Sequence, residues 1–271
     1  MIIQHNMAAA NTNRQLAITN GNLSKSTEKL SSGYKVNRAA DNAAGLTISE
    51  KMRGQIRGLE KASTNAQDGI SLIQTAEGAL NETHAMLQRM RELAVQSAND
   101  TNVSADRTAL QNEVTQLLDE ITRIGSQTEF NTMKLLDGTF TAKKLQIGAN
   151  QGQTMDIAIT PAMTEAGLSL TGVSVANQGD ASSAITTVNT AIETVSETRS
   201  KLGAIQNRLE HSIANSDNTA ENLQAAESRI RDVDMADEMV KYSKDNILQQ
   251  AGQSMLAQAN QASQGILALI R

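Results

Sequence analysis

The chain has 271 residues, with 24 Lys and Arg against 29 Asp and Glu, a net charge of −5 and no cysteine. An acidic chain with scattered Lys and Arg lacks the basic surface that displaces counterions from nucleic acid, and without thiols it forms neither disulfides nor thiolate zinc sites. Aromatics are 1% of the chain, two Phe and two Tyr with no Trp, and because large rings usually dominate the packing of compact globules, this composition points to long helices burying thin aliphatic seams.

The N-terminal MIIQHNMAAANTNRQL has neither the basic start nor the apolar run of a secretory signal, so any export is expected to bypass a cleaved signal. No segment approaches the roughly 20 apolar residues of a membrane span, and membrane insertion is not expected. Apolar residues instead recur every seven positions, at Ile2, Ala9, Leu16, Leu23 and Leu30. A loop-like SSGYKVNRAADNAAG follows, Ser31 to Gly45. A second row runs through Met52, Leu59, Ala66, Ile73, Leu80, Leu87 and Ala94, supported by Ile56 and Ile70. Sustained sevenfold rows indicate coiled-coil packing, and a helix from Leu46 to Asn99 would be about 80 Å long at 1.5 Å per residue.

Within that helix, LQRMRELAVQSANDTN (Leu87 to Asn102) shows two apolar faces. On an ideal helix Leu87, Met90 and Ala94 form one stripe, whereas Met86 and Leu93, with Arg89 beside them, fall on roughly the opposite side. The second face is expected to point outward, toward a partner. Asn99 to Asn102 breaks the pattern, and Ser104 is expected to cap the next helix, with Asp106 in its first turn. That helix carries Leu110, Leu117 and Ile124, with Val114 and Ile121 beside them, and the short link returns it antiparallel to its predecessor.

After Phe130 the pattern changes. MKLLDGTFT reads as a hairpin turning at Asp137-Gly138, and LQIGANQGQTMDIAIT as a second hairpin around a Gly-rich turn, closed by Pro161. Residues 162 to 180 read as an irregular surface connection. From Ala181 the sevenfold row returns at Val188, Val195, Leu202 and Leu209, is interrupted at Ser216, and resumes at Leu223 and Ile230; Leu248, Met255, Ala262 and Leu269 close it, flanked by Ile266 and Ile270.

The expected fold is therefore mainly α: a long antiparallel, coiled-coil helical bundle with paired N- and C-terminal helices and a small β-hairpin region around residues 133–160. The terminal seams hold Ala9, Thr12, Thr19, Ser26, Gly252, Ala259 and Ala262. At roughly 25 cal/mol per Å² so thin a seam is marginal against chain entropy, so the ends are expected to order only when neighbouring subunits cover them.

No constellation of enzyme residues is found. His5, His84 and His211 lie far apart without an H-E-x-x-H spacing. Asp232, Asp234, Asp237 and Glu238 lack the turn glycine and twelfth-position glutamate of a calcium loop, and read as a solvated or salt-bridged helix face. GANQGQ lacks the spacing and following helix of a phosphate site. Met86, Met90, Met235, Met239 and Met255 read as adaptable packing. No catalytic residue, metal or cofactor is expected.

Four stretches carry a more specific signal: NTNRQL; Lys29 to Leu59, KLSSGYKVNRAADNAAGLTISEKMRGQIRGL; LQRMRELAVQSANDTN; and Ile247 to Arg271, ILQQAGQSMLAQANQASQGILALIR. In this order they closely resemble bacterial flagellin, over about the first 130 and the last 90 residues. The resemblance implies a subunit that polymerises into the extracellular flagellar filament, with both termini paired in an inner tube and a rod-like outer domain around it. On this division residues 1–45 and 231–271 form the two halves of the inner core, 46–180 the N-terminal part of the rod and 181–230 its C-terminal helix. Because Pro161 to Asp180 leaves no room for the large variable outer domains of many relatives, a short form is expected.

The resemblance further implies secretion of the unfolded chain by the flagellar type III apparatus, an export chaperone on the C-terminal segment, and contacts with the filament cap and hook-associated proteins. It also implies recognition by Toll-like receptor 5 of the host, with Arg89, Leu93 and Glu113 as contacts shared with the subunit interface and Met86, Gln88 and Gln96 as further interface residues. Leu16, Leu23, Leu30, Leu248, Met255 and Leu269 become terminal polymerisation seams. The alternatives are a hook–filament junction protein and a non-polymerising coiled-coil scaffold.

Overall fold

The computed structural model describes residues 6–269, of which 262–269 as backbone only. Its elements in order are α1 (Met7–Ser32), α2 (Ala43–Ser97), α3 (Ser104–Gln127), β1 (Glu129–Phe130), β2 (Met133–Lys134), β3 (Lys143–Gln146), β4 (Thr154–Ile157), α4 (Gln178–Arg231) and α5 (Met235–Leu269). The chain forms two compact units, Met1–Gly54 with Glu221–Arg271, and Gln55–Ala220.

In the first unit α1 begins where the Asn6 side chain accepts from Ala9 N–H at 3.0 Å. It ends at Gly33, whose φ of 76° is the left-handed conformation that glycine adopts without a Cβ penalty. α5 is capped by Asp234, whose Oδ1 accepts from the N–H groups of Ala236 and Asp237 at 2.9 and 3.2 Å. That cap accounts for one of the clustered acids between Asp232 and Glu238. The two helices pair antiparallel, as Ser26 with Glu238, Asn20 with Gln249 and Asn6 with Ala259 show.

Leu16, Leu23 and Leu30 are half-buried in this pair, but Leu248 and Met255 are 46% and 57% exposed and stand outside its seam. The face of α5 turned to α1 carries Glu238, Gly252 and Ala259 instead. Large aliphatics would hold the backbones further apart; the leucine of one helix meets the small residue of the other, as Leu16 meets Gly252. Ile2 and Ile270, and the side chains of Ala262, Ile266 and Leu269, fall outside the described residues.

The loop after α1 is tied to the break between α4 and α5. Lys35 N–H donates to the Arg231 carbonyl at 2.6 Å and Val233 N–H to the Gly33 carbonyl at 3.0 Å. The Arg231 guanidinium lies 4.6 Å from the Tyr34 ring centre and donates to Glu50 Oε1 at 2.8 Å. Asp41 accepts from the N–H groups of Asn37 and Arg38, which hold its carboxyl below the usual carboxylate range.

In the second unit the expected rows of α2 and α4 are the core, whereas α3 buries the positions beside its expected row. Ala66, Ile73, Leu80, Leu87 and Ala94 of α2 are buried, as are Val188, Val195, Leu202 and Leu209 of α4. On α3 the fully buried positions are Val114, Leu118, Ile121 and Gly125, with Leu110, Leu117 and Ile124 packed at the edge. Ser104 is the first residue of α3 and not its cap; the N-cap is Val103, whose N–H donates to Asp106 Oδ2 at 3.2 Å.

The β region departs from expectation in one turn. β1 and β2 pair antiparallel across Asn131 and Thr132, both at positive φ (49° and 65°). Asp137-Gly138 is a later bend, where Asp137 Oδ1 accepts from the Thr139 hydroxyl and N–H at 2.7 and 2.9 Å. A hairpin turning at Asp137-Gly138 would send the adjacent Leu135 and Leu136 to opposite faces of a strand, whereas both are buried. The second hairpin forms as expected, with Lys143 opposite Ile157 and Gln146 opposite Thr154.

Residues 162–180 also differ from the expected surface connection: Met163, Leu168, Leu170 and Val175 are buried. Their spacing is irregular, so no periodicity announces them, yet they fill the core with α2, α3 and α4. The backbone they carry inward is satisfied. Met163 N–H donates to the Leu136 carbonyl at 2.7 Å, and Val175 N–H to Gln111 Oε1 at 2.6 Å while its carbonyl accepts from Ser97 Oγ at 2.5 Å.

Candidate functional site

The stretch Leu87 to Asn102 sits at the end of α2, where α3 turns back beside it. Arg107 holds the turn, donating from Nε to the Ser97 carbonyl at 3.1 Å and from Nη2 to the Asn99 carbonyl at 3.2 Å. Asn102 Nδ2 closes it on the Gln96 carbonyl. These bonds satisfy carbonyls that the helix end leaves open, and they fix the two helices side by side.

Arg89 then spans the gap. Its Nε donates to Glu113 Oε1 on α3 at 2.7 Å, and its Nη1 to Glu92 Oε2 at 3.1 Å. Both carboxylates, Glu113 first, favour the charged guanidinium and raise the Arg89 pKa. With Arg89 49% and Glu113 43% exposed at the side chain, the pair is screened by solvent and adds little to stability. It does present a fixed, alternating charge pattern to anything that docks there.

Leu93 is not on this surface. It is 1% exposed and belongs to the core, and Met86 is half-buried against that core. A helix with one neighbour buries a single stripe. In the structure a second row, Leu72, Ala79, Met86 and Leu93, lies beside the first and packs into the same cluster, because α2 is covered by α3 as well as by α4. Arg89 bridges to α3 and Glu77 pairs with Arg199 of α4 at 3.5 Å.

The outward face is instead Gln88, Arg91, Glu92, Val95 and Gln96, which line a shallow groove. Val95, 54% exposed, is the apolar residue that faces solvent there. The wheel did contain this signal. Positions 88, 92, 95 and 96 are the complement of 87, 90 and 94, so Val95 lies on the face away from the buried stripe. Gln88 also meets His84, with Nε2 atoms 2.9 Å apart.

A separate apolar pocket of about 290 Å³ lies among Leu72, Phe130, Phe140, Leu145 and Ile157, with Asp68, Lys143 and Lys144 also lining it. It holds both phenylalanines of the chain but no nucleophile or acid–base pair beside a polarising group. Among the described residues no group of three or more His, Cys, Asp or Glu could hold a metal ion, and no helix is long and apolar enough to cross a membrane. Of the methionines, Met90 is in the core, while Met235, Met239 and Met255 face outward in the single chain.

The family model for the bacterial flagellin N-terminal helical region matches residues 3–141, and that for the C-terminal helical region matches residues 185–270. A flagellin of Halalkalibacterium halodurans is 56% identical over 272 residues and one of Bacillus subtilis 50% over 304, each alignment covering the whole of both chains. The crystal structure of Bacillus cereus flagellin superposes with a TM-score of 0.52 at 34% identity, covering 60% of this chain and 94% of that one.

Proposed function

Since the chain belongs to the bacterial flagellin family, a structural and non-enzymatic family whose members build the flagellar filament, we propose how its parts serve that polymer. Residues 1–45 and 231–271 supply the inner core, and the helices of 46–230 supply the rod. The α1·α5 pair leaves Leu248 and Met255 exposed, and these two residues belong to the seam that neighbouring subunits cover. The chain reaches its place unfolded through the flagellar type III apparatus, with a chaperone on the C-terminal segment, and is added among cap and hook-associated proteins.

The observation that carries the contact surface is the Arg89–Glu113 bridge, a two-helix charge pair beside the exposed Val95. On this reading Arg89, Glu113, Gln88 and Gln96 meet the next subunit in the filament, and the same surface on the free subunit meets Toll-like receptor 5. Leu93 and Met86 support it from beneath. The test is to assay purified Arg89→Ala, Glu113→Ala and Val95→Asp chains for filament growth by electron microscopy and for activation of receptor-bearing reporter cells. The reading predicts loss in both assays with helix content retained. Full activity of all three in both assays refutes it.

A further inference from the structure

The α1·α5 pair buries one carboxylate. Glu238 is 3% exposed and its oxygens are both engaged: Ser26 Oγ on α1 donates to Oε1 at 2.8 Å, and Lys241 Nζ donates to Oε2 at 3.0 Å. Burial raises the Glu238 pKa, but the Ser26 and Lys241 bonds and the nearby Lys29 charge outweigh it, and the carboxyl sits below its usual range. A buried charge left without such partners is strongly unfavourable.

We propose that Glu238, with Ser26, is a register lock within the α1·α5 helices, a contact that acts with the backbone ties of Gly33 to Val233 and Lys35 to Arg231 at the end of α1 to select one alignment of two helices whose apolar seam admits more than one. The apolar seam is ambiguous for a definite reason. In the native alignment Leu16 lies in the notch at Gly252. If α1 slides by one heptad, Leu23 arrives at the same notch, and a leucine still fills it. Nothing in the aliphatic pattern opposes that slip, because the row repeats every seven residues.

The polar contact does oppose it. In this slip Glu238 faces position 33, where Gly33 ends α1 and has no side chain to donate. In the opposite slip it faces Thr19, whose hydroxyl is already spent on the Gln15 carbonyl at 3.0 Å, and Asn22 takes the place of Lys29. Only Ser26, free of an intrahelical bond and followed three residues later by a lysine, satisfies the carboxylate. A buried polar group that only one alignment satisfies sets register at a cost in stability. The inference concerns pairing within one chain and does not depend on the receptor surface proposed for Arg89.

The chain has no cysteine, so introduced pairs report register without background. Asn20 and Gln249 touch in the native alignment, so cysteines at 20 and 249 mark it; cysteines at 27 and 249 mark the slip that brings Leu23 to Gly252. Each pair is treated with a short bismaleimide in filaments, copolymerised with excess cysteine-free chain where a variant does not assemble alone, and intrachain products are counted.

The parent is expected to yield the 20–249 product and at least tenfold less of the 27–249 product. In Glu238→Leu, and separately in Ser26→Ala, the slipped-to-native ratio is expected to rise at least threefold above the parent value. A slipped-to-native ratio that stays at the parent value in both variants overturns the proposal, as does a parent that yields both products equally. Loss of both products in the variants also overturns it, because the contact would then hold the helices together and not choose between alignments.

Discussion

Arg89 on α2 and Glu113 on α3 stand 24 residues apart in sequence and 2.7 Å apart in space, Nε to Oε1, with both side chains nearly half exposed. Arg89→Ala is accordingly expected to leave the thermal unfolding midpoint nearly unchanged, since an exposed pair contributes little, while filament growth falls. Calorimetry alongside a sedimentation assay checks it; a large drop in midpoint would mean that the bridge is structural.

Leu93→Ala should behave oppositely. Removing a fully buried leucine leaves a cavity that costs about 2–5 kcal/mol, so denaturant unfolding of the chain should shift markedly. Any loss of receptor activation by this variant should then follow its unfolded fraction and be restored when the assay is run well below the transition. Activity lost at full helix content would show that Leu93 reaches the receptor directly.

Gly125 lies against the Met163 carbonyl, where an added Cβ has no space. Gly125→Ala is expected to push residues 162–164 off the end of α3 and to destabilise by about 1–3 kcal/mol as an overpacked site, despite alanine's better helix propensity. Equilibrium unfolding measures it, and a stabilised variant would contradict the buried course of that segment.

For Glu238 the sign of the pH effect follows from its lowered pKa. A depressed carboxylate contributes stability above its unfolded value, near 4.3, and that stability is lost as pH falls through the lower folded value. Lys29 on α1 and Lys241 on α5 face it, and Asp234 and Asp237 at the start of α5 act on Lys241. Acid should therefore loosen the α1·α5 pair below about pH 4.3, and Glu238→Gln should flatten that part of the profile. Circular dichroism of filaments between pH 2 and 6 reads it, and superimposable profiles for parent and variant would rule the contribution out.

The thin terminal seam leads to a last expectation. In dilute monomer the amides of residues 6–32 and 235–261 should exchange fast, and in filaments slowly, because neighbours supply the missing apolar cover. Hydrogen exchange on both forms is the measurement. Strong protection in the monomer would mean that the α1·α5 pair stands alone.

Periodicity alone determined the helices, their order, the antiparallel return of α3 and the core rows through Ile73 and Val195, because a repeated apolar spacing has few other ways to be buried. The long motifs at both ends carried the family. What the sequence could not decide was which of two adjacent rows faces out, since that depends on how many neighbours a helix has. α2 has α3 and α4 beside it, so Leu93 turns inward and Val95 is left at the surface. The same limit applies to Met163, Leu170 and Val175, which enter the core without a repeating pattern. It applies also to Glu238, whose charge reads as solvated until α1 is seen to bring Ser26 within 2.8 Å. Spacing along one chain records periodic burial; burial created by two or three converging segments exists only once they have converged.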